Sequence, residues 1–287
     1  MSVTPDVSII IVSFNSLGYL KECLASISRQ EGVTFETIVI DNGSRDSTVE
    51  FLSAQSCKSI ISPKNLGFGA AVNRGAEIAS GEYLLVLNPD TVLPKDCLSQ
   101  LCAYADHLGD FGLLSPSFVH PDGRIQPSAR NYPSRIRFLI SRGSPLFKLG
   151  ISGDKDAGYL IPEGNDPIRV PAVSATALFI KRGLFRGIGG FDSRYFMYLE
   201  DLDLCRRLRE MKLTIWLLPS IKVIHNWGQS SKTRPYFALF HHHLSVLKYF
   251  RKYHASQWLH NSLLAIALGC GILISSALVM FRGRRQN

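Results

Sequence analysis

The sequence predicts an α/β fold: a mostly parallel central sheet with helices on both faces, followed by a hydrophobic helical segment at the carboxyl end. Three observations carry this. Apolar runs of strand length alternate with helical periodicity as far as Asp90. Polar clusters recur where those runs stop: Ser13-Phe14-Asn15, Asp41-Asn42 and Asn88-Pro89-Asp90. Residues 253–281 contain no Asp, Glu, Lys or Arg. The alternation means βαβ units, and in such sheets ligands bind beyond the carboxyl ends of the strands.

In chain order, Val7–Phe14 is a buried strand. It is too short, and too bare of a leading Lys or Arg, to read as a secretory leader. Leu17, Leu20, Leu24 and Ile27 recur at helical spacing, so residues 17–30 form an amphipathic helix. Thr37–Ile40 is a second strand, closed by the turn cluster Asp41-Asn42-Gly43-Ser44. A helix follows over Thr48–Gln55, with Ser47 placed to cap it. Ser59–Ser62 is a third strand, Gly69–Ala79 a helix and Tyr83–Leu87 a fourth strand. Residues 115–170 are rich in proline and loop-like, and a second ordered block runs from Val170 to Ile224. The expected division is a domain over 1–235, with a nucleotide-binding half to about residue 110 and an acceptor-side half beyond it, then a membrane-associating segment over 236–287.

Composition excludes several classes. With 46% hydrophobic and 19% charged residues, the chain is neither a disordered tail nor a low-complexity repeat. The net charge of +9 resides in the last quarter, where ten Lys or Arg and no acid follow Met211. Such an end suits nucleic acid, a phosphate-rich ligand or anionic lipid. The six cysteines show no paired spacing, so they read as reduced thiols of a cytosolic protein, with no structural zinc. No phosphate loop of the P-loop type is present.

Four places carry candidate chemistry. Asp90, past a strand end on a proline-stiffened turn, can hold a hard divalent cation against a diphosphate, although Asn-Pro-Asp is also a good turn former. Asp41 can accept a hydrogen bond from a base or ribose, or simply close an Asx turn. Glu200-Asp201-Leu202-Asp203 opens a helix; three acids in four positions exceed what capping needs, and an acid at a site rim suits general-base work. His225 ends an apolar strand and by itself reads as structural. His241-His242-His243 does not read as a metal tract, because consecutive helical residues point about 100° apart. The loop arginines Arg124, Arg130, Arg135, Arg137 and Arg142 read as a solvated face.

The pieces VSIIIVSFNS, IVIDNGSRDST, NLGFGAAVNRG, GEYLLVLNPDT, GGFDSRYFMYLEDLDLCRRLR and IKVIHNWGQSS, in that order, resemble inverting family 2 glycosyltransferases of the GT-A fold. The likeness is greatest to bacterial rhamnosyltransferase-type members. The resemblance implies that Ser13, Asn15 and Asp41 hold the nucleoside and that Asn65, Gly67 and Asn73 line the same pocket. It also implies that Asp90, with His225, binds Mg²⁺ or Mn²⁺ and contacts the nucleotide. Asp201 becomes the base and Glu200 an acceptor contact. Asn88 stands where the family's metal motif more often has a first Asp, and Val173–Ala177 departs from its usual Gly-Ala pair.

The implied partners are a nucleoside-diphosphate sugar and a glycan or polyprenyl-diphosphate-linked acceptor; nucleic acid is not expected. Lys232 and Arg234 would close over the diphosphate. Lys248, Arg251 and Lys252, with the apolar run Leu263–Phe281, would hold the enzyme to the cytoplasmic face of the inner membrane, either crossing once or lying in the interface. The competing readings are an inactive membrane-anchored nucleotide-sugar-binding protein and a metal-dependent nucleotidyltransferase. Retention of all three acids speaks against the first, and the lack of Lys or Arg after the first strand against the second.

Overall fold

The computed structural model describes residues 4–135, 158–162, 164–226 and 235–283, with side chains to residue 271. Its elements, in chain order, are β1 (Val7–Ser13), α1 (Leu17–Ile27), β2 (Phe35–Asp41), α2 (Thr48–Ser53), β3 (Lys58–Ile61), α3 (Phe68–Ile78), β4 (Tyr83–Leu87), β5 (Thr91–Val92), α4 (Cys97–Leu108), β6 (Leu113–Val119), β7 (Ile125–Gln126) and β8 (Ala129–Arg130). Then follow β9 (Tyr159–Leu160), β10 (Ile168–Arg169), β11 (Ala172–Val173), β12 (Ala177–Lys181), α5 (Arg182–Gly187), α6 (Glu200–Glu210), β13 (Ile215–His225), α7 (Pro235–Tyr253) and α8 (Trp258–Gly283).

One sheet runs in the order β10-β13-β6-β12-β4-β1-β2-β3, with β5 and β7 attached to β13 and β6. The sheet is mixed where the sequence predicts a mostly parallel one. Strands β1 to β4 are parallel, but β12 lies antiparallel between β4 and β6. β13 runs parallel beside β6, and β10, ahead of β12 in the chain, lies antiparallel against the start of β13 at Trp216 and Leu217.

Residues alternate across β1, as a two-sided sheet requires. Ile10 and Val12 join the core under α3, α6 and α7, while Val7, Ile9 and Ile11 join the one under α1 and α4. Gly75 of α3 sets the helix–sheet distance, since a Cβ there would lie 2.7 Å from Ile10 and from Ile40. Ser47 makes no side-chain cap. Asp46 does that work, its Oδ1 accepting from the Thr48 amide at 3.3 Å and hydroxyl at 2.6 Å.

The expected division at residue 235 meets a different packing. Val246, Tyr249 and Phe250 of α7, and Leu264 and Leu268 of α8, are buried in the same core as β1 and α3. Lys252, expected to face lipid, donates to Asp192 at 2.9 Å and to the fully buried Asp203 at 2.6 Å. Lys248 donates to the Arg194 carbonyl. Lys252 thus neutralises acids distant in sequence, and Lys248 is held by a backbone carbonyl. Trp258, Leu259, Leu263 and Ile266 remain exposed on α8. Among the described residues no helix is long and apolar enough to cross a membrane; the later part of the Leu263–Phe281 run, Arg137, Arg142, Lys232 and Arg234 lie outside the described side chains.

Candidate active site

At the carboxyl end of β2, Asp41 is fully buried. Its Oδ2 accepts from the Ser44 amide at 3.1 Å, the Asx turn, while Oδ1 has no partner. Ser13, at the end of the neighbouring strand, shares its hydroxyl with Ser16 at 2.9 Å. Asn15, at a positive φ of 49°, accepts from the Arg45 amide at 2.7 Å and so ties the two loops into one wall beside Asp41.

Asn65, Gly67 and Asn73 are used differently from expectation. Asn65 Oδ1 accepts from the Gly67 amide at 2.9 Å and from Asn42 at 3.0 Å. Gly67 has φ +86°, and a Cβ there would meet the Phe196 carbonyl at 2.4 Å, so the position is set by a close backbone approach. Asn73 spends both ends of its amide on the backbone of Phe191, at 2.8 and 2.9 Å. It joins α3 to the loop before α6. Buried Asn42, unremarked beyond its turn in the sequence, is the residue that braces the 65–67 loop.

Asp90 and His225 are brought together. β5 pairs with the end of β13 at Thr91 and His225, and the Asn226 amide donates to the Asp90 carbonyl at 2.9 Å. Asp90 Oδ1 lies 3.6 Å from His225 Nε2, beyond hydrogen-bond range, and has no other partner. Burial raises the Asp90 carboxyl to about 6. Burial and the nearby His120 lower His225 to about 4, so its imidazole is neutral. An orphaned carboxylate oxygen facing a neutral imidazole fits a divalent cation. Two donors each ~2.1 Å from one ion lie at most ~4.2 Å apart, which admits the observed separation. Among the described residues no group of three or more acidic, His or Cys side chains could hold a metal unaided, the three consecutive histidines included. The site therefore leaves coordination positions to a ligand's oxygens.

Asp201 is tied to the same rim through backbone hydrogen bonds of the Ala175–Thr176 segment. The Ala175 amide donates to Asp201 Oδ2 at 3.2 Å, and Asn88 donates to the adjoining Thr176 carbonyl at 2.9 Å. Arg130 donates to the same Asp201 oxygen at 2.5 Å. This corrects the reading of the loop arginines as solvated. Arg124 pairs with exposed Asp122, but Arg130 crosses from β8 to fix the candidate base, and Arg135 is bonded to Gln257 and Asn261 of the C-terminal helices. Asp201 Oδ1 accepts only from the Leu202 amide, at 2.7 Å, and keeps acceptor capacity.

Beside it, buried Glu200 packs near Gly69 at the start of α3, and its Oε2 is unpartnered. Burial and the Asp201 charge push its carboxyl well above the usual range. The two residues before it, Tyr198 and Leu199, take left-handed φ of 67° and 64°, a strained entry that aims the first turn of α6. Among the described residues, every buried carboxylate oxygen without a partner belongs to Asp41, Asp90 or Glu200, all at this rim.

The sequence profile of Glycosyl transferase family 2 matches residues 8–152. The chain is 30% identical to an N-acetylglucosaminyl-diphospho-decaprenol L-rhamnosyltransferase of Mycobacterium tuberculosis, over 89% of this chain and 87% of that one. It is 29% identical to the rhamnosyltransferase WbbL of Escherichia coli, over 76% and 83%. Its fold is shared with the mannosyltransferase PcManGT from Pyrobaculum calidifontis, solved with GDP-Man and Mn²⁺ (TM-score 0.56, 15% identity, 99% of this chain and 81% of that one). It is also shared with Staphylococcus aureus TarS solved with UDP-GlcNAc (TM-score 0.55, 18% identity, 85% and 66%). The mixed sheet, its rim of acids and these relatives identify the chain as a glycosyltransferase enzyme of the GT-A fold, a member of glycosyl transferase family 2.

Proposed function

We propose that this enzyme transfers a rhamnose-type sugar, with inversion, from a nucleoside diphosphate to a hydroxyl of a polyprenyl-diphosphate-linked glycan during synthesis of a bacterial surface polysaccharide. The observation that carries the reading is the Asp90–His225 pair on the same rim as the Arg130-held Asp201, linked to it through Ala175–Thr176 and Asn88. The substrate class is supported by the two rhamnosyltransferase relatives.

In this reading the orphaned Asp41 oxygen accepts from the base or ribose, with Ser13 and Asn15 forming the wall around it. Asp90 and His225 hold Mg²⁺ or Mn²⁺, which when bound offsets the negative charge of the diphosphate. The acceptor oxygen attacks the anomeric carbon, the carbon–oxygen bond to the diphosphate breaks, and the acceptor proton passes to Asp201 Oδ1. One displacement inverts the anomeric centre. A base so placed typically contributes ~10²–10⁴-fold. Glu200, holding its proton at neutral pH, donates to an acceptor hydroxyl. The exposed α8 face of Trp258, Leu259, Leu263 and Ile266 supports contact with the membrane surface that carries the acceptor.

The test supplies the full chain with thymidine-diphospho-rhamnose, a short polyprenyl-diphosphate N-acetylglucosamine and Mg²⁺ or Mn²⁺. A rhamnosylated product of inverted anomeric configuration by NMR is expected. A product that retains configuration, or transfer only from other sugar nucleotides, contradicts the reading.

A further inference from the structure

Gln126, on β7, is a buried side chain that no motif singles out. Its Nε2 lies 2.7 Å from the His225 carbonyl and 3.1 Å from His120 Nδ1, and its Oε1 lies 2.9 Å from His225 Nδ1. These contacts leave one assignment of protons. A carbonyl oxygen can only accept, so the amide nitrogen is the group facing it, and the amide oxygen is the group facing Nδ1. That oxygen can only accept, so His225 Nδ1 carries the hydrogen. With Nδ1 turned to this acceptor, Nε2 is the ring nitrogen that faces Asp90 Oδ1, at 3.6 Å. The edge-on contact of Phe118 with the His225 ring, at 5.8 Å, packs a wall against the ring but does not select the nitrogen.

We infer that Gln126 is a positioning residue for the metal site: by gripping both the ring and the backbone of His225, it fixes the tautomer and ring orientation that make Nε2 a ligand. The inference rests on the proposed use of Asp90 and His225 as ligands. Free histidine favours the opposite tautomer, with its proton on Nε2, which a cation cannot share. Outer partners of this kind typically change metal affinity ~10–100-fold when removed.

The first measurement is ¹⁵N NMR of the imidazoles in the full, metal-free chain. His225 is expected to carry its hydrogen on Nδ1; a hydrogen on Nε2 overturns the inference without any variant. The second follows Mn²⁺ binding by electron paramagnetic resonance, with uridine or thymidine diphosphate present. Gln126→Met should weaken Mn²⁺ binding ~10–100-fold and move the His225 hydrogen to Nε2. Gln126→Glu, which still accepts from Nδ1 but cannot donate to the His225 carbonyl, should keep the hydrogen on Nδ1 and bind Mn²⁺ more tightly than Gln126→Met while remaining weaker than the unsubstituted chain. Native affinity in Gln126→Met, beside a loss in His225→Ala, overturns the role of Gln126 alone. Native affinity in His225→Ala overturns the ligand reading and this inference together.

Discussion

The two ends of β2 treat a carboxylate in opposite ways. At the foot of the sheet, Glu36 accepts from the Ser8 hydroxyl at 2.6 Å, the Ser80 amide and hydroxyl at 2.7 Å each, and Lys58 at 2.6 Å. Burial alone would raise its carboxyl, but these donors outweigh it and bring Glu36 down to about 2. At the other end Asp41 keeps an oxygen without a partner, as do Asp90 and Glu200 nearby. Asp90 and Glu200 are both raised, chiefly by burial. Glu36 is half-buried and Asp41 fully buried, and the acid that keeps an oxygen without a donor is the more deeply buried one. A fold that can saturate Glu36 and Asp203 leaves the rim incomplete, and unsatisfied buried acids are where a ligand's donors or a cation belong.

The largest expected effect is at the rim. Asp201→Asn keeps the contact with the Ala175 amide and removes the proton acceptor. Transfer should fall at least ~10²-fold, with nucleotide affinity nearly unchanged. Normal transfer in this variant would move the base to Glu200.

The saturated side of the comparison can be broken by truncation after Lys252. That cut removes the Tyr253 hydroxyl from Asp203, Gln257 and Asn261 from Arg135, and Leu264 and Leu268 from the core. Burying one such leucine is worth ~1.5–3 kcal/mol, so the loss is a large share of a typical total of ~5–15 kcal/mol. The truncated chain should melt well below the full one or fail to stay soluble. An unchanged melting temperature would show that α7 ends the domain by itself.

Glu36→Gln gives a smaller effect. It removes charge-assisted hydrogen bonds and should cost ~2 kcal/mol at neutral pH. The folded carboxyl lies near 2, below its usual 4.5, so its stabilisation is present above 4.5 and lost as pH falls toward 2. Urea unfolding between those values should therefore be less steep in pH for the variant. An unchanged slope would mean that the four donors do not act on Glu36 in solution.

Much of the first 110 residues was legible because their signals are local. Strand runs, the helix from Leu17 and the turn acids Asp41 and Asp90 need no distant partner to be read. What was not legible depends on residues far apart in sequence. Arg130 looks like any arginine of a proline-rich loop until Asp201 is folded against it. Lys252 reads as a lipid-facing cation until Asp192 and Asp203 are beneath it. Asn73 sits in a nucleotide-like motif but is consumed by Phe191. The reversed direction of β12 lies in its pairing with β4 and β6, strands distant in sequence, which no local periodicity encodes.

The contrast between completed and incomplete acids is tested most directly at Glu200. Its folded carboxyl is raised, so the native state holds a proton that the unfolded state releases, and stability falls as pH rises above the usual carboxylate range. Urea unfolding and sugar transfer of Glu200→Gln should be measured side by side at pH 8. The account expects a midpoint equal to or above that of the unsubstituted chain, with transfer reduced. A lowered midpoint with transfer intact would make Glu200 a structural acid like Glu36 and would contradict the account.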